Sequence, residues 1–193
     1  MSSFKVDDVI SLPDWRRGST FGASQADRVR NAKIIYDMFR KAGYPVGVAM
    51  AAIANARHES DLSNSAVGDT GSSVGLFQLH KNGAGKGMTT ADRMDPYKNT
   101  ARIIKETDIY GDKLMKAWND GKSVATLSYI FGRDIERPAN AGEGRDNTAR
   151  LIFGPLADVD SQTLTYAAVG GFFLIGAASA FGVLLYLALR GAK

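Results

Sequence analysis

Apolar residues in this chain recur mostly at helical intervals, and small polar residues cut the pattern into short segments. Val29, Ala32, Tyr36 and Phe39 fall on one helical face. Ser24 and Asp27 precede that face with the spacing of a capping box, and Gly43 suits its end. Pro45 then fits the first position of a second helix. From Val46 to Ala56 nearly every residue is small or apolar, so this helix is expected to be buried on most sides. Its last turn reads Arg57-His58-Glu59-Ser60. Residues 61–95 are rich in Gly, Ser, Asn, Asp and Thr and predict loops with a short extended piece. Asp95-Pro96 is an N-cap followed by proline, and Tyr97, Ala101 and Ile104 mark the face of the helix it opens. Leu114, Ala117 and Trp118 predict a short helix closed by Gly121. Ser123 caps another through Phe131, and a last one covers Arg145 to Ile152 before Gly154-Pro155. Helices with short connections and no cleanly alternating runs indicate a mainly α domain.

The pattern changes at the C-terminal end. From Ser161 to Leu189 no residue carries a charge. Tyr166 to Leu189 would span about 36 Å as a helix, enough for one membrane crossing. Tyr166 and Tyr186 lie near its ends, where interfacial aromatics are expected. Gly176 with Ala180, and Ala178 with Gly182, have the small-residue spacing of weak helix–helix self-association. Arg190 and Lys193 follow the segment while Arg145 and Arg150 precede it, so basic residues leave its orientation open. The expected organisation is an irregular arm (1–22), a helical domain (23–157), a linker (158–165) and a transmembrane helix (166–189).

Composition narrows the function classes. The net charge of +4 owes two charges to Arg190 and Lys193, and the remaining +2 is spread among mixed signs. That is no basic stripe, so a nucleic-acid partner is not expected. The chain has no cysteine, which excludes disulfides and thiolate metal sites and fits a protein made in the cytoplasm. The stretch Met1 to Asp8 shows no apolar run followed by small residues, so no signal peptide is expected. His58 and His80 are the only histidines and show no zinc-ligand spacing, so neither a metal nor a cofactor is expected.

Glu59 is the candidate for chemistry. A carboxyl at the end of an apolar helix is open to desolvation, which raises its pKa and suits it to donate a proton. Chemistry that uses two carboxyl groups would need a partner for it. Asp61 and Asp69 are the candidates, and each also reads as a turn residue. Ser60 has no His–Asp set to make it a nucleophile. Glu136 and Arg137 read as an ion pair that shapes the domain. The run Gly83 to Gly87 lacks a phosphate-loop pattern and reads as a flexible loop beside a cleft.

The order of motifs resembles the lysozyme-like lytic transglycosylases. It reads Glu59-Ser60-Asp61-Leu62, Ala66-Val67, Gly71, then Gly75-Leu76-Phe77-Gln78-Leu79, with Gln78 nineteen positions after Glu59. Ser128-Tyr129-Ile130-Phe131-Gly132 resembles that family's Ala-Tyr-Asn-x-Gly motif, with Ile130 in place of the Asn. Phe131 to Ala139 is similar to the end of phage tail-type lysozyme domains. The resemblance covers roughly residues 28–153. It implies a lysozyme-like fold and cleavage of the peptidoglycan glycan strand, with Glu59 as the general acid. It also implies that Gln78 and Tyr129 line the cleft and contact substrate. The family often has a hydroxyl residue where this chain has Gly68, and Ser72 or Ser73 is the expected stand-in. In these transglycosylases the substrate's N-acetyl group replaces the second carboxylate and a 1,6-anhydro ring closes. Hydrolysis with Asp61 or Asp69, and a non-catalytic wall-binding protein, remain as alternatives. Joined to the apolar segment, the resemblance implies an enzyme in a bilayer, carried in the membrane of a phage particle for host entry.

Overall fold

The computed structural model describes residues 21–137 and 144–164. The expected membrane segment and all but the last two residues of the expected arm lie outside them. Among the described residues, no helix is long and apolar enough to cross a membrane. The fold is mainly helical. Its helices are α1 (Gln25–Lys41), α2 (Val46–Ser60), α3 (Thr90–Met94), α4 (Pro96–Tyr110), α5 (Asp112–Asn119), α6 (Val124–Phe131) and α7 (Arg145–Phe153). A π-helical turn, Gly132–Glu136, continues α6, and a 3-10 turn, Gly154–Asp158, follows α7.

α2 is the central rod, packed by α1, α6 and α7. Every residue from Val46 to Ala56 is buried, as its uniform apolarity demands. Burying a side chain such as Met50 or Ile53 stabilises the fold by roughly 1.5–3 kcal/mol. Gly47 lets the Trp118 ring of α5 lie against the rod, because a Cβ there would stand 2.4 Å from the ring. Phe131 sits between Phe39 of α1 and Phe77, with ring centroids 6.0 and 6.3 Å away.

Capping chemistry sets the helix ends. The side chains of Ser24, Thr89, Asp95 and Ser123 accept from backbone N–H groups two or three residues on. α2 ends differently. Asp61 takes a left-handed conformation with φ 55°, and the Leu62 N–H reaches back to the Ala56 carbonyl. The Asp61 side chain is buried and pairs with Arg57 and Arg28.

The polar stretch after α2 holds a small antiparallel sheet of β1 (Val67–Gly68), β2 (Ser73–Val74) and β3 (Leu79–His80). The buried Arg93 holds it, donating through Nη1 to the carbonyls of Ser72 (2.7 Å) and Leu79 (2.8 Å). The glycine run is not a free loop. Gly85 is buried against the Arg93 side chain, and its N–H bonds to the His80 carbonyl within a series of turns.

Three further expectations are corrected. α4 buries Asn99, Thr100, Ile103, Glu106 and Thr107, and leaves Tyr97 exposed. Its inner face is polar because each polar group finds a partner. Asn99 bonds the loop, and Glu106 pairs with Arg102 and Arg137. Glu136 and Arg137 do not pair with each other. The π-helical turn sends them apart: Arg137 goes to Glu106 and over the Tyr110 ring, and Glu136 goes to Arg145. The stretch expected as a linker is packed on the domain as far as it is described. Ser161 Oγ donates to the Trp118 carbonyl, and Leu164 is buried in the core.

Candidate active site

Three elements meet at Glu59. α2 delivers it on its last turn, where the helix leaves the apolar core. The adjacent Ser60 is fully buried, and its hydroxyl donates to the Leu76 carbonyl at 2.8 Å. This joins the end of α2 to the turn that carries Gln78. It also explains the Glu-Ser pair without a nucleophile, because the hydroxyl serves as a clasp. Gly75 makes the same turn passable. It has φ +83°, and a Cβ would lie 2.1 Å from the Arg93 carbonyl oxygen.

The second element is α7. Its first residue, Arg145, is buried and contacts Glu59 through Nη2. The third is the π-helical turn, where Glu136 Oε2 accepts from Arg145 Nε at 3.1 Å. Gly132 opens the way: a Cβ there would stand 2.0 Å from Arg145 Cδ. Its φ of −58° is ordinary, so this glycine is required for size and not for backbone freedom. The glycine of the Tyr-x-x-Gly motif therefore admits the arginine that reaches Glu59.

Electrostatics follow from this packing. Glu59 is held above the usual carboxylate range, first by burial; Arg145 opposes the shift and the Asp69 charge adds to it. Glu136 is pushed up to about 8, chiefly by burial and then by the Glu59 charge, against the pull of Arg145. His58 is held below its usual value by burial and by Arg145, and its Nδ1 lies 3.1 Å from Thr148 Oγ1.

The residues expected at the site are arranged as follows. Asp61 is turned into the core between Arg28 and Arg57, which commits it to closing α2. Asp69 is exposed on the β1–β2 connection, where Asp69 and Thr70 both have positive φ (47° and 53°). Its Oδ2 accepts from Ser73 Oγ at 2.6 Å. Ser72 Oγ donates to the Asp69 carbonyl at 2.8 Å, so both serines serve this turn. Ser73 is the cross-strand partner of Gly68, which puts a hydroxyl beside the position that lacks one. Gln78 donates to the carbonyls of Gly75 (2.9 Å) and Ala66 (3.3 Å), and its Oε1 packs where a Gly68 side chain would stand. Tyr129 is exposed on α6 with the Arg133 guanidinium over its ring at 5.7 Å.

Sequence reasoning missed Arg145 as a partner of Glu59 and gave Glu136 to the wrong arginine. The first contact is long-range, with Arg145 lying 86 positions after Glu59, and the second joins two elements nine positions apart. The one local signal was Gly132, whose size demand became visible only with α7 in place.

A small helical domain with a half-buried glutamate beside a short three-stranded sheet defines a lysozyme-like architecture. The family model of the phage tail lysozymes matches residues 30–156, about two thirds of the chain, and the chain belongs to that family. No curated protein and no solved structure is significantly similar to it.

Proposed function

We propose that this protein cleaves the glycan strand of bacterial peptidoglycan, with Glu59 as general acid. The observation that carries the reading is the setting of Glu59. Its side chain is 22% exposed at the end of a buried helix, and burial raises its pKa. A carboxyl whose ionisation is disfavoured by burial yet which reaches solvent can protonate a glycosidic oxygen. Membership in the phage tail lysozyme family supports the same substrate.

The reaction proposed is the lytic transglycosylase one. Asp61 is spent on two arginines and Asp69 is engaged by Ser73, so the substrate's N-acetyl group does the work of a second carboxylate. Glu59 gives its proton to the leaving oxygen. It then takes one from the sugar's 6-hydroxyl as the 1,6-anhydro ring closes. A second reading, hydrolysis, is favoured by one observation: the Asp69 charge is felt at Glu59. In that reading Asp69 supports the reacting carbon or the incoming water. Gln78, Ser72 and Ser73 would shape the substrate-facing hairpin, and Tyr129 a neighbouring subsite. The apolar segment 166–189 supports a single membrane anchor, and with the family it supports a place in the membrane of a phage particle.

The test uses the full chain in detergent on purified peptidoglycan, with mass analysis of the released fragments. Anhydro ends support the transglycosylase reading, reducing ends support hydrolysis, and no release by a folded chain refutes both. Glu59→Gln keeps the side chain's shape and removes the acid, so release is expected to fall by about 10²-fold or more.

A further inference from the structure

One buried guanidinium serves two carboxyl groups in this molecule. Arg145 meets Glu59 through Nη2 and Glu136 through Nε, two different nitrogens, so it can hold both at once. The side chains of Arg145 and Glu136 are 2% and 6% exposed. Glu136 Oε1 is buried without a hydrogen-bond partner among the described residues. A negative charge is poorly accommodated at such an oxygen.

An arginine touching a lone acid is a poor arrangement for proton donation, because it stabilises the carboxylate. The second carboxyl changes this. With both carboxyls ionised the cluster carries a net negative charge in a largely apolar setting, which desolvation penalises. With one proton between them it is neutral. We infer that Glu136 is a positioning residue: through Arg145 it shares a single proton with Glu59, so that the pair retains one proton while Arg145 keeps one ionised partner. Of the two, only Glu59 reaches solvent to an extent that would let it pass the proton to a ligand.

Other charged groups around the cluster do not upset this balance. His58, on the same turn of α2 and tied to Thr148 of α7, is kept neutral near neutrality by burial and by Arg145. Asp69, from the hairpin, disfavours charge on Glu59 and so reinforces proton retention. On the π-helical turn itself, Arg133 and Asp134 pair with each other. The catalytic meaning of the shared proton rests on Glu59 being the acid, but the sharing itself does not.

The two are separated by experiment. In the full chain in detergent, labelled at the glutamate side-chain carboxyls with carbon-13, Glu59 and Glu136 are expected to titrate in two separated steps, each signal sensing both. In Glu59→Gln, the Glu136 step should move to lower pH by about one unit, because a neighbouring negative charge is gone. An unmoved Glu136 titration overturns the inference. The activity arm uses Glu136→Gln. Arg145 then faces Glu59 alone and favours its ionised form, so the alkaline limb of peptidoglycan cleavage should shift to lower pH by about one unit. Lower activity with an unmoved limb would make Glu136 merely structural and overturn the positioning role. If Glu136→Gln does not fold, the titration of Glu59→Gln still decides. If the wild-type chain releases nothing from peptidoglycan, the functional reading fails while the titration still judges the proton sharing.

Discussion

Glu136 has a consequence for stability that does not depend on catalysis. Its native pKa is about 8, whereas an unfolded glutamate titrates near about 4.3. Between these values the native chain holds a proton that the unfolded chain has released. Native stability from this group is therefore fully present below the unfolded pKa and is lost as pH rises through the native one. The urea midpoint of the wild type should fall between about pH 5 and pH 8 by more than that of Glu136→Gln, which has no proton to lose there. Equal slopes for the two proteins would show that Glu136 ionises normally in the native state. At this scale the sequence placed Glu59 on the last turn of a buried helix, where the structure has it. It hid Glu136, because nothing local distinguishes a buried glutamate from the many that are solvated.

Among elements, the joint between α2 and the sheet matters most for the site. Ser60 makes it with one hydroxyl on the Leu76 carbonyl. Ser60→Ala would leave that buried carbonyl without its side-chain donor, at a cost of roughly 1–3 kcal/mol. It should also lower activity more than Thr107→Ala, whose hydroxyl bonds within α4, away from the hairpin. Chemical denaturation and peptidoglycan release on the two variants would check both expectations. Helix starts were legible because Ser24, Asp95 and Ser123 act on N–H groups only two or three residues away. The sheet was not, because strands of two residues are too short to show alternation. The inner face of α4 was misread because hydropathy counts Asn99, Thr100 and Glu106 as outward. Thr100 bonds the Pro96 carbonyl of its own helix, while Asn99 and Glu106 also find partners outside it, in the loop at Phe77 and in Arg137. Gln78 stood out in the sequence by its spacing from Glu59. Its bonds to Gly75 and Ala66 show it bracing the turn, a role that periodicity cannot reveal.

On the scale of the whole molecule, the domain extends beyond the residues that its helical pattern marks. Leu164 and Ser161 belong to it, although both lie in the uncharged stretch that reads as tether and anchor. A chain ending after Leu164 should fold and keep its activity. One ending after Ala157 loses the buried leucine, expected to cost about 2–5 kcal/mol. At about 2–4 °C per kcal/mol for a chain of this size, its melting temperature should fall measurably below that of the longer version. Identical melting curves would place the domain boundary before residue 158. The 86 positions between Glu59 and Arg145 also have a meaning in time. At about 5–20 residues per second, several seconds pass during synthesis between the acid and its cationic partner. During that interval the nascent chain has the glutamate but neither α7 nor the arginine. A premature stop between the two residues yields a product that lacks the arginine beside the acid, so the cluster is complete only after α7 has docked.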